Sequence, residues 1–303
     1  MNRSARDAAP IDLTADATSL SGALQAGAVS SAALTAQCLA HIDAQDPLLG
    51  LFTHVAHDEA LAAARAADDR RARGRALGPL DGLPVALKAN MAVRGWPLTA
   101  GLKFRAAERA EADAFVVARL RAAGAVLLGL TNMDEGALGA EGTNPWYRTT
   151  HNPLRPLYCA GGSSSGAAAA VAIGACAFAL GTDTIGSIRI PAAFCGCVGL
   201  KPSFGRLSTR GIVPVHLRFD HVGPLTRTVR DLALVLPLLE GFDAQSSVSV
   251  PYADPAAPAV APVTRRIGYG VGFGAVGVTD AVIADYNRAL AALRALGHTL
   301  VPV

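Results

Sequence analysis

Residues 159–187 read CAGGSSSGAAAAVAIGACAFALGTDTIGS, and this stretch decides the architecture. Its centre, Ala167 to Leu180, is the longest apolar run in the chain and is interrupted at Gly174. It falls short of the roughly 20 residues that a membrane span needs, so it reads as a buried helix leading into a buried strand. Polar groups crowd both ends. Before the helix stand Gly161, Gly162, Ser163, Ser164, Ser165 and Gly166; after the strand come the small and hydroxylated residues Gly181 to Ser187, with a bulky Ile185 among them.

The flanking sequence repeats the alternation. Residues 19–44 and 57–73 read as helices. Leu34, Cys38 and Ile42 share one face of the first, and Asp46-Pro47 is expected to stop it. In the second, Asp68 to Arg71 form a solvated face and Gly74 a cap. The turn Gly78-Pro79-Leu80-Asp81-Gly82 introduces a short apolar strand, LPVALK, residues 83–88, ending in a lysine. A helix over 113–123 and a buried strand over Ala125 to Leu130 follow. Strand, helix and strand in this order predict an α/β fold, with a mostly parallel or mixed sheet covered by helices on both faces. Further on, Arg227 to Leu239 reads as helix, 241–264 as a surface connection, 267–270 as strand, 279–296 as helix and Thr299 to Val303 as strand. No internal repeat is present.

With 303 residues, 51% of them hydrophobic, the chain can build one large core or two modest ones. A net charge of +3 calls for neither nucleic acid nor an anionic membrane. The N-terminus, MNRSARDAAPIDL, lacks an apolar core and is not a signal peptide. Five irregularly spaced cysteines (38, 159, 176, 195 and 197) suit a reduced, cytoplasmic chain and read as buried core thiols.

Three segments hold the candidate chemistry. Lys88, closing an apolar strand, is either a snorkelling surface lysine or, if buried, an amine that loses its proton near neutral pH and serves as a base. The Gly162-Ser163-Ser164-Ser165-Gly166 run is an N-cap cluster or a G-x-S-x-G nucleophile elbow centred on Ser164. The preceding Asn152-Pro153-Leu154-Arg155-Pro156 is not the strand an elbow requires, and the Lys-Ser/Thr ending of a phosphate loop is missing. Gly181 to Ser187 taken alone is a turn. The seven histidines are scattered and form no motif.

Taken together, these segments resemble the amidase signature family. The likeness rests on GPLDGLPVALK (78–88), LGLTNMDEGALG (128–139), Asn152-Pro153, GGSSSG (161–166), ALGTDTIGSIRIPAAFCGCVGLKPSFGRLS (179–208) and DHVGPLTRTVRDLALVL (220–236), and extends from about residue 19 to the end. The resemblance implies an α/β/α fold with a mixed central sheet, incomplete at the C-terminus. It implies a Ser-Ser-Lys triad in which Ser187 is the nucleophile, Ser163 the bridging serine, held by a cis peptide, and Lys88 the base. Backbone N–H groups of Thr184, Ile185 and Gly186, with that of Ser187, would form the oxyanion hole, and Asp183 and Arg189 would hold the loop. Neither cofactor nor metal is implied.

The sequence departs from that family in three ways. Ala89 stands where an Asp commonly follows the lysine. Ile185 stands where Gly or another small residue is usual, and is a poor fit if the position needs φ > 0. Members are also usually much longer, so the chain is expected to be a single partial amidase domain: N-terminal helices over 1–74, a signature core over 78–240 and the start of a C-terminal part over 241–303. A cleft left open on the C-terminal side would invite a partner chain or a second copy. The expected activity is hydrolysis of a small-molecule carboxamide through an acyl-enzyme, without nucleic acid or membrane as partner. The alternatives are the glutamine-using A component of a tRNA-dependent amidotransferase and an inactive amidase-like scaffold. Met133 and Trp146 are further candidates for the pocket.

Overall fold

A computed structural model of the protein describes residues 11–251 and 263–303. The chain forms two compact units, Met1–Tyr252 and Ala253–Val303. Residues 241–251, expected to open a C-terminal part, belong to the first. Asp243 accepts from Ser208 Oγ (2.7 Å) and Arg210 Nε (2.8 Å), and Val250 N–H donates to the Gly205 carbonyl. The reading of the N-terminus as lacking a signal peptide falls largely on residues 1–10, and that of the 241–264 connection partly on 252–262, outside the described residues.

The first unit is built on a six-stranded mixed sheet: β1 (Phe52–Val55), β2 (Pro84–Lys88), β3 (Val126–Thr131), β4 (Phe178–Asp183), β5 (Val198–Gly199) and β6 (His221–Thr226), in the order β1-β3-β2-β4-β6-β5. The central three, β3, β2 and β4, run parallel; β1, β6 and β5 pair antiparallel. Every residue of β2, β3 and β4 is buried, so both faces of the sheet are covered, as the apolar LPVALK and FAL runs imply.

The covering helices are α1 (Ala17–Gln25), α2 (Ser31–Leu49), α3 (His57–Ala72), α4 (Phe115–Ala122), α5 (Ser165–Ala172), α6 (Arg189–Cys195) and α7 (Val229–Leu239). Alanines make α5 thin. Its Gly166 lies so close to the Leu51 carbonyl and the Asn132 backbone that a Cβ would collide with both. The expected helix over 19–44 is two helices. Gly27, at φ +67°, breaks it, and Ser30 Oγ caps α2 by accepting from Ala33 N–H (3.1 Å). Nor does Pro47 stop α2. It sits in the last turn, where only one intrahelical bond is lost, and the helix ends at left-handed Gly50, whose N–H reaches the Asp46 carbonyl (2.8 Å).

Cys38, Cys176 and Cys195 are buried, and burial pushes the Cys38 and Cys195 thiols up to about 12; Cys159, expected in the core, is exposed on an irregular segment. Among the described residues no helix is long and apolar enough to cross a membrane. In the second unit β7 (Arg266–Tyr269) and β8 (Thr299–Pro302) pair parallel across α8 (Asp280–Ala295), the strand–helix–strand order expected from its sequence.

Candidate active site

The three parallel strands end side by side, and the polar residues of the site lie at or just beyond their carboxyl ends, the usual place for ligands in open parallel sheets. Lys88 is the last residue of β2; Asn132 and Asp134 follow β3; Thr182 and Asp183 end β4, and the loop to Ser187 follows. The N-terminus of α5 brings in Ser163 and Ser164.

Lys88 is 0% exposed. Its Nζ hydrogen-bonds to Ser163 Oγ (2.8 Å), Thr182 Oγ1 (2.9 Å) and, more weakly, the Thr182 carbonyl (3.5 Å). Asn90 Nδ2 donates to the same Thr182 Oγ1 (3.1 Å). Burial lowers the lysine to about 7, against the pull of the Asp134, Asp183 and Asp220 carboxylates, so the neutral amine is populated at neutral pH. The snorkelling alternative is therefore excluded. Ala89, where the family commonly has Asp, is itself fully buried.

Ser163 follows a cis peptide, Gly162–Ser163, and is likewise 0% exposed. Ser164 cannot be an elbow nucleophile. Its Oγ donates to the Thr182 carbonyl (3.2 Å) and accepts from Thr182 N–H (3.3 Å), which fastens α5 to β4 and leaves the hydroxyl buried. Ser164 N–H donates to the Ser187 carbonyl (3.1 Å), which places the two serine-bearing loops side by side. The Ser163 and Ser187 hydroxyls are not hydrogen-bonded to each other.

Asp183 shapes the Ser187 loop. Its buried carboxylate accepts from the N–H groups of Gly186 (2.8 Å) and Ile188 (3.1 Å) and from Arg189 Nε (3.0 Å) and Nη2 (2.9 Å). Burial alone would push this carboxyl up; the Arg189 side chain and these backbone donors outweigh it and hold the carboxyl below the ordinary Asp value. Asp183 and Arg189 are thus where a loop-holding pair belongs. The bond to Asp183 changes one expectation: the Gly186 N–H is already engaged, whereas those of Thr184, Ile185 and Ser187 have no acceptor among the described residues. The positive φ of the loop falls on Gly186 (+138°), while Ile185 keeps an ordinary negative φ. Ile185 therefore does not distort the loop, and its side chain, 86% exposed, stands at the pocket.

That pocket, about 330 Å³, is lined by Leu138, Ile185, Ile190 and Val215 together with Thr184 and Ser187, and Ser187 is 7% exposed. No histidine lines it. Met133 is fully buried, and Trp146, whose Nε1 donates to Glu135 (2.8 Å), lies outside the lining, so neither shapes this pocket.

Four residues of the site were not singled out in the sequence. Asp220 accepts from Thr184 Oγ1 (2.6 Å) and from the N–H groups of Val215 (2.8 Å) and His216 (3.0 Å), joining two walls of the pocket. Asp134 accepts from the Gly142 and Thr143 N–H groups beside the cis peptide, and burial pushes its carboxyl above the ordinary value despite them. Thr182 and Asn90 anchor Lys88. For Asn90, Asp134 and Thr182 the available signal was the placement of polar residues at or just beyond the ends of buried strands, 88–90, 131–134 and 182–183. Among the described residues no group of three or more His, Cys, Asp or Glu side chains is placed to hold a metal ion.

A buried lysine bonded to a serine, a second serine at a pocket and open backbone donors beside it lie together at one end of a mixed α/β sheet. The chain belongs to the amidase family, whose model matches residues 33–303. It is 45% identical over 289 residues to the A component of the glutamyl-tRNA(Gln) amidotransferase of Chloroflexus aurantiacus, covering 94% of this chain and 59% of that protein. The corresponding protein of Anaeromyxobacter sp. strain K is 46% identical over 281 residues, covering 92% of this chain and 57% of that protein. The chain spans about six tenths of the length of these relatives. Among solved structures it is similar to the native peptide amidase of Stenotrophomonas maltophilia (TM-score 0.85, 35% identity, 95% of this chain and 61% of that one). It is also similar to a 6-aminohexanoate cyclic dimer hydrolase (TM-score 0.86, 32% identity, 97% and 61%).

Proposed function

We propose that this chain carries the catalytic machinery of a serine amidase, with Ser187 as nucleophile, Ser163 as proton relay and Lys88 as base. The observation that carries the reading is the 2.8 Å Lys88–Ser163 bond, made by a fully buried amine whose proton affinity burial lowers to about 7. A serine hydroxyl needs such a base to become an effective nucleophile.

In this reading each group has a task. Neutral Lys88 has two N–H bonds and one lone pair. Thr182 offers its hydroxyl and carbonyl oxygens to the N–H bonds, which leaves the lone pair facing Ser163 Oγ–H. Ser163 passes its proton to Lys88 and takes the proton of Ser187, whose Oγ attacks the carboxamide carbon. The oxyanion is received by the N–H groups of Thr184 and Ile185, with that of Ser187; the Gly186 N–H instead fixes the loop through Asp183. Each such donor is worth about 3–4 kcal/mol of transition-state stabilisation. The C–N bond then breaks, and the proton returns through Ser163 to the leaving nitrogen. Water attacks the acyl-Ser187 ester by the same relay and releases the acid.

A second reading, the glutamine-using A component of a tRNA-dependent amidotransferase, is favoured by the 45% identity to such proteins. It would require partner chains. Five free cysteines, three of them buried, suit a reducing cytoplasmic setting for either. Ammonia release measures both: release from simple carboxamides by the chain alone supports the amidase. Release from glutamine only with partner chains supports the second reading, and no release under either condition refutes both.

A further inference from the structure

The pocket beside Ser187 has a chemical character of its own. None of its nine lining residues carries a charge, and apart from Thr184 and Ser187 none has a polar side chain. Four of them, Leu138, Ile185, Ile190 and Val215, are branched aliphatic side chains. At about 330 Å³ it lies at the small end of the range for small-molecule sites, roughly 300–1,000 Å³. Ile185 is decisive. An 86% exposed β-branched side chain one residue from the Gly186 turn has little of the described protein to pack against, and its backbone conformation is ordinary. It stands two residues from the nucleophile, at the rim of the space that an acyl group attached to Ser187 would enter.

We infer that this pocket receives a short, uncharged aliphatic acyl group, and that Ile185 is the specificity-determining residue that closes over it. The inference rests on the amidase reading and deepens it by naming the substrate class. A glutamine in this pocket would place an α-ammonium and an α-carboxylate against described lining residues whose side chains carry no charge. Burying an unpaired charge is far costlier than burying a methylene is favourable.

The test measures inactivation rate constants of the full chain with alkyl fluorophosphonates of rising chain length, from methyl to hexyl, and with a hexyl probe ending in a carboxylate. Ser187 displaces fluoride, so each rate reports how well the alkyl arm seats. The rate is expected to climb about fourfold per methylene until the pocket is full, the equivalent of about 0.8 kcal/mol each. The carboxylate-tipped probe is expected to fall back to the methyl rate. In Ile185→Ala the gain per methylene should shrink relative to the methyl probe in the same variant. A flat chain-length series, a carboxylate probe as fast as hexyl, or an unchanged gain in Ile185→Ala overturns the inference while leaving the amidase reading intact. Failure of every probe to label folded protein removes both.

Discussion

Replacing Lys88 with Met tests whether the buried amine is held neutral. Met keeps an unbranched apolar stem in the same volume but removes the titrating group, so the pH dependence of the stability difference reports on Lys88. Burial lowers the folded-state value to about 7 from 10.5, so between these values the unfolded chain binds more protons than the folded one. The wild type must therefore gain stability relative to Lys88→Met as pH rises. Below pH 7 both states hold a protonated lysine and the penalty of burying it is fully present. Above pH 10.5 both are neutral and the penalty is gone. Integrating over pH 6 to 9 with one pKa unit equal to 1.36 kcal/mol gives a gain of about 3 kcal/mol. Urea denaturation of both proteins at pH 6, 7, 8 and 9, followed by tryptophan fluorescence, measures it. Trp96 and Trp146 both lie in the first unit. A constant difference across this range would mean that Lys88 stays charged, and that the base assignment is wrong.

Further expectations concern the groups around the lysine. Thr182→Val removes the hydroxyl shared by Lys88 and Asn90. It should slow fluorophosphonate labelling on the order of tenfold, the scale of one buried unmade hydrogen bond, and Thr182→Ser should restore it. Asp183→Ala frees the Gly186 and Ile188 N–H groups and the Arg189 side chain together. It should cost about 2–4 kcal/mol in urea denaturation and abolish labelling even where the protein remains folded. Asp220→Asn removes a negative charge that raises the Lys88 value, so the midpoint of the labelling pH profile should move to lower pH; movement to higher pH would refute the electrostatic assignment.

Much of this arrangement could be read from the sequence, for identifiable reasons. The elements α3, β2, β3 and α8 fall within two residues of expectation because their apolar spacing and flanking turns agree with their final packing. Those that escaped obey longer-range causes. β6 contains Gly223 and Pro224, both poor strand residues, and exists because it is hydrogen-bonded between β4 and β5. α6 carries Pro191 in its first turn, where a missing N–H is tolerated, and the chain before it reads only as a loop. Within the site, Lys88, Ser163 and Ser187 were accessible through the ordered motifs around them. Asp220 lies 36 residues from Thr184, and its role depends on a contact that no local pattern encodes. The same is true of Gly186. That its N–H is taken up by Asp183 is a matter of loop geometry, visible only once the carboxylate is in place.

The central claim, that Ser187 is a nucleophile activated through Ser163 by Lys88, is tested most directly by fluorophosphonate labelling of the purified chain with mass-spectrometric localisation of the adduct. A single adduct on Ser187 is expected, absent in Ser187→Ala, strongly slowed in Ser163→Ala and Lys88→Ala, and rising with pH through a midpoint near 7. Labelling at another serine, or no labelling of a folded sample, would contradict it.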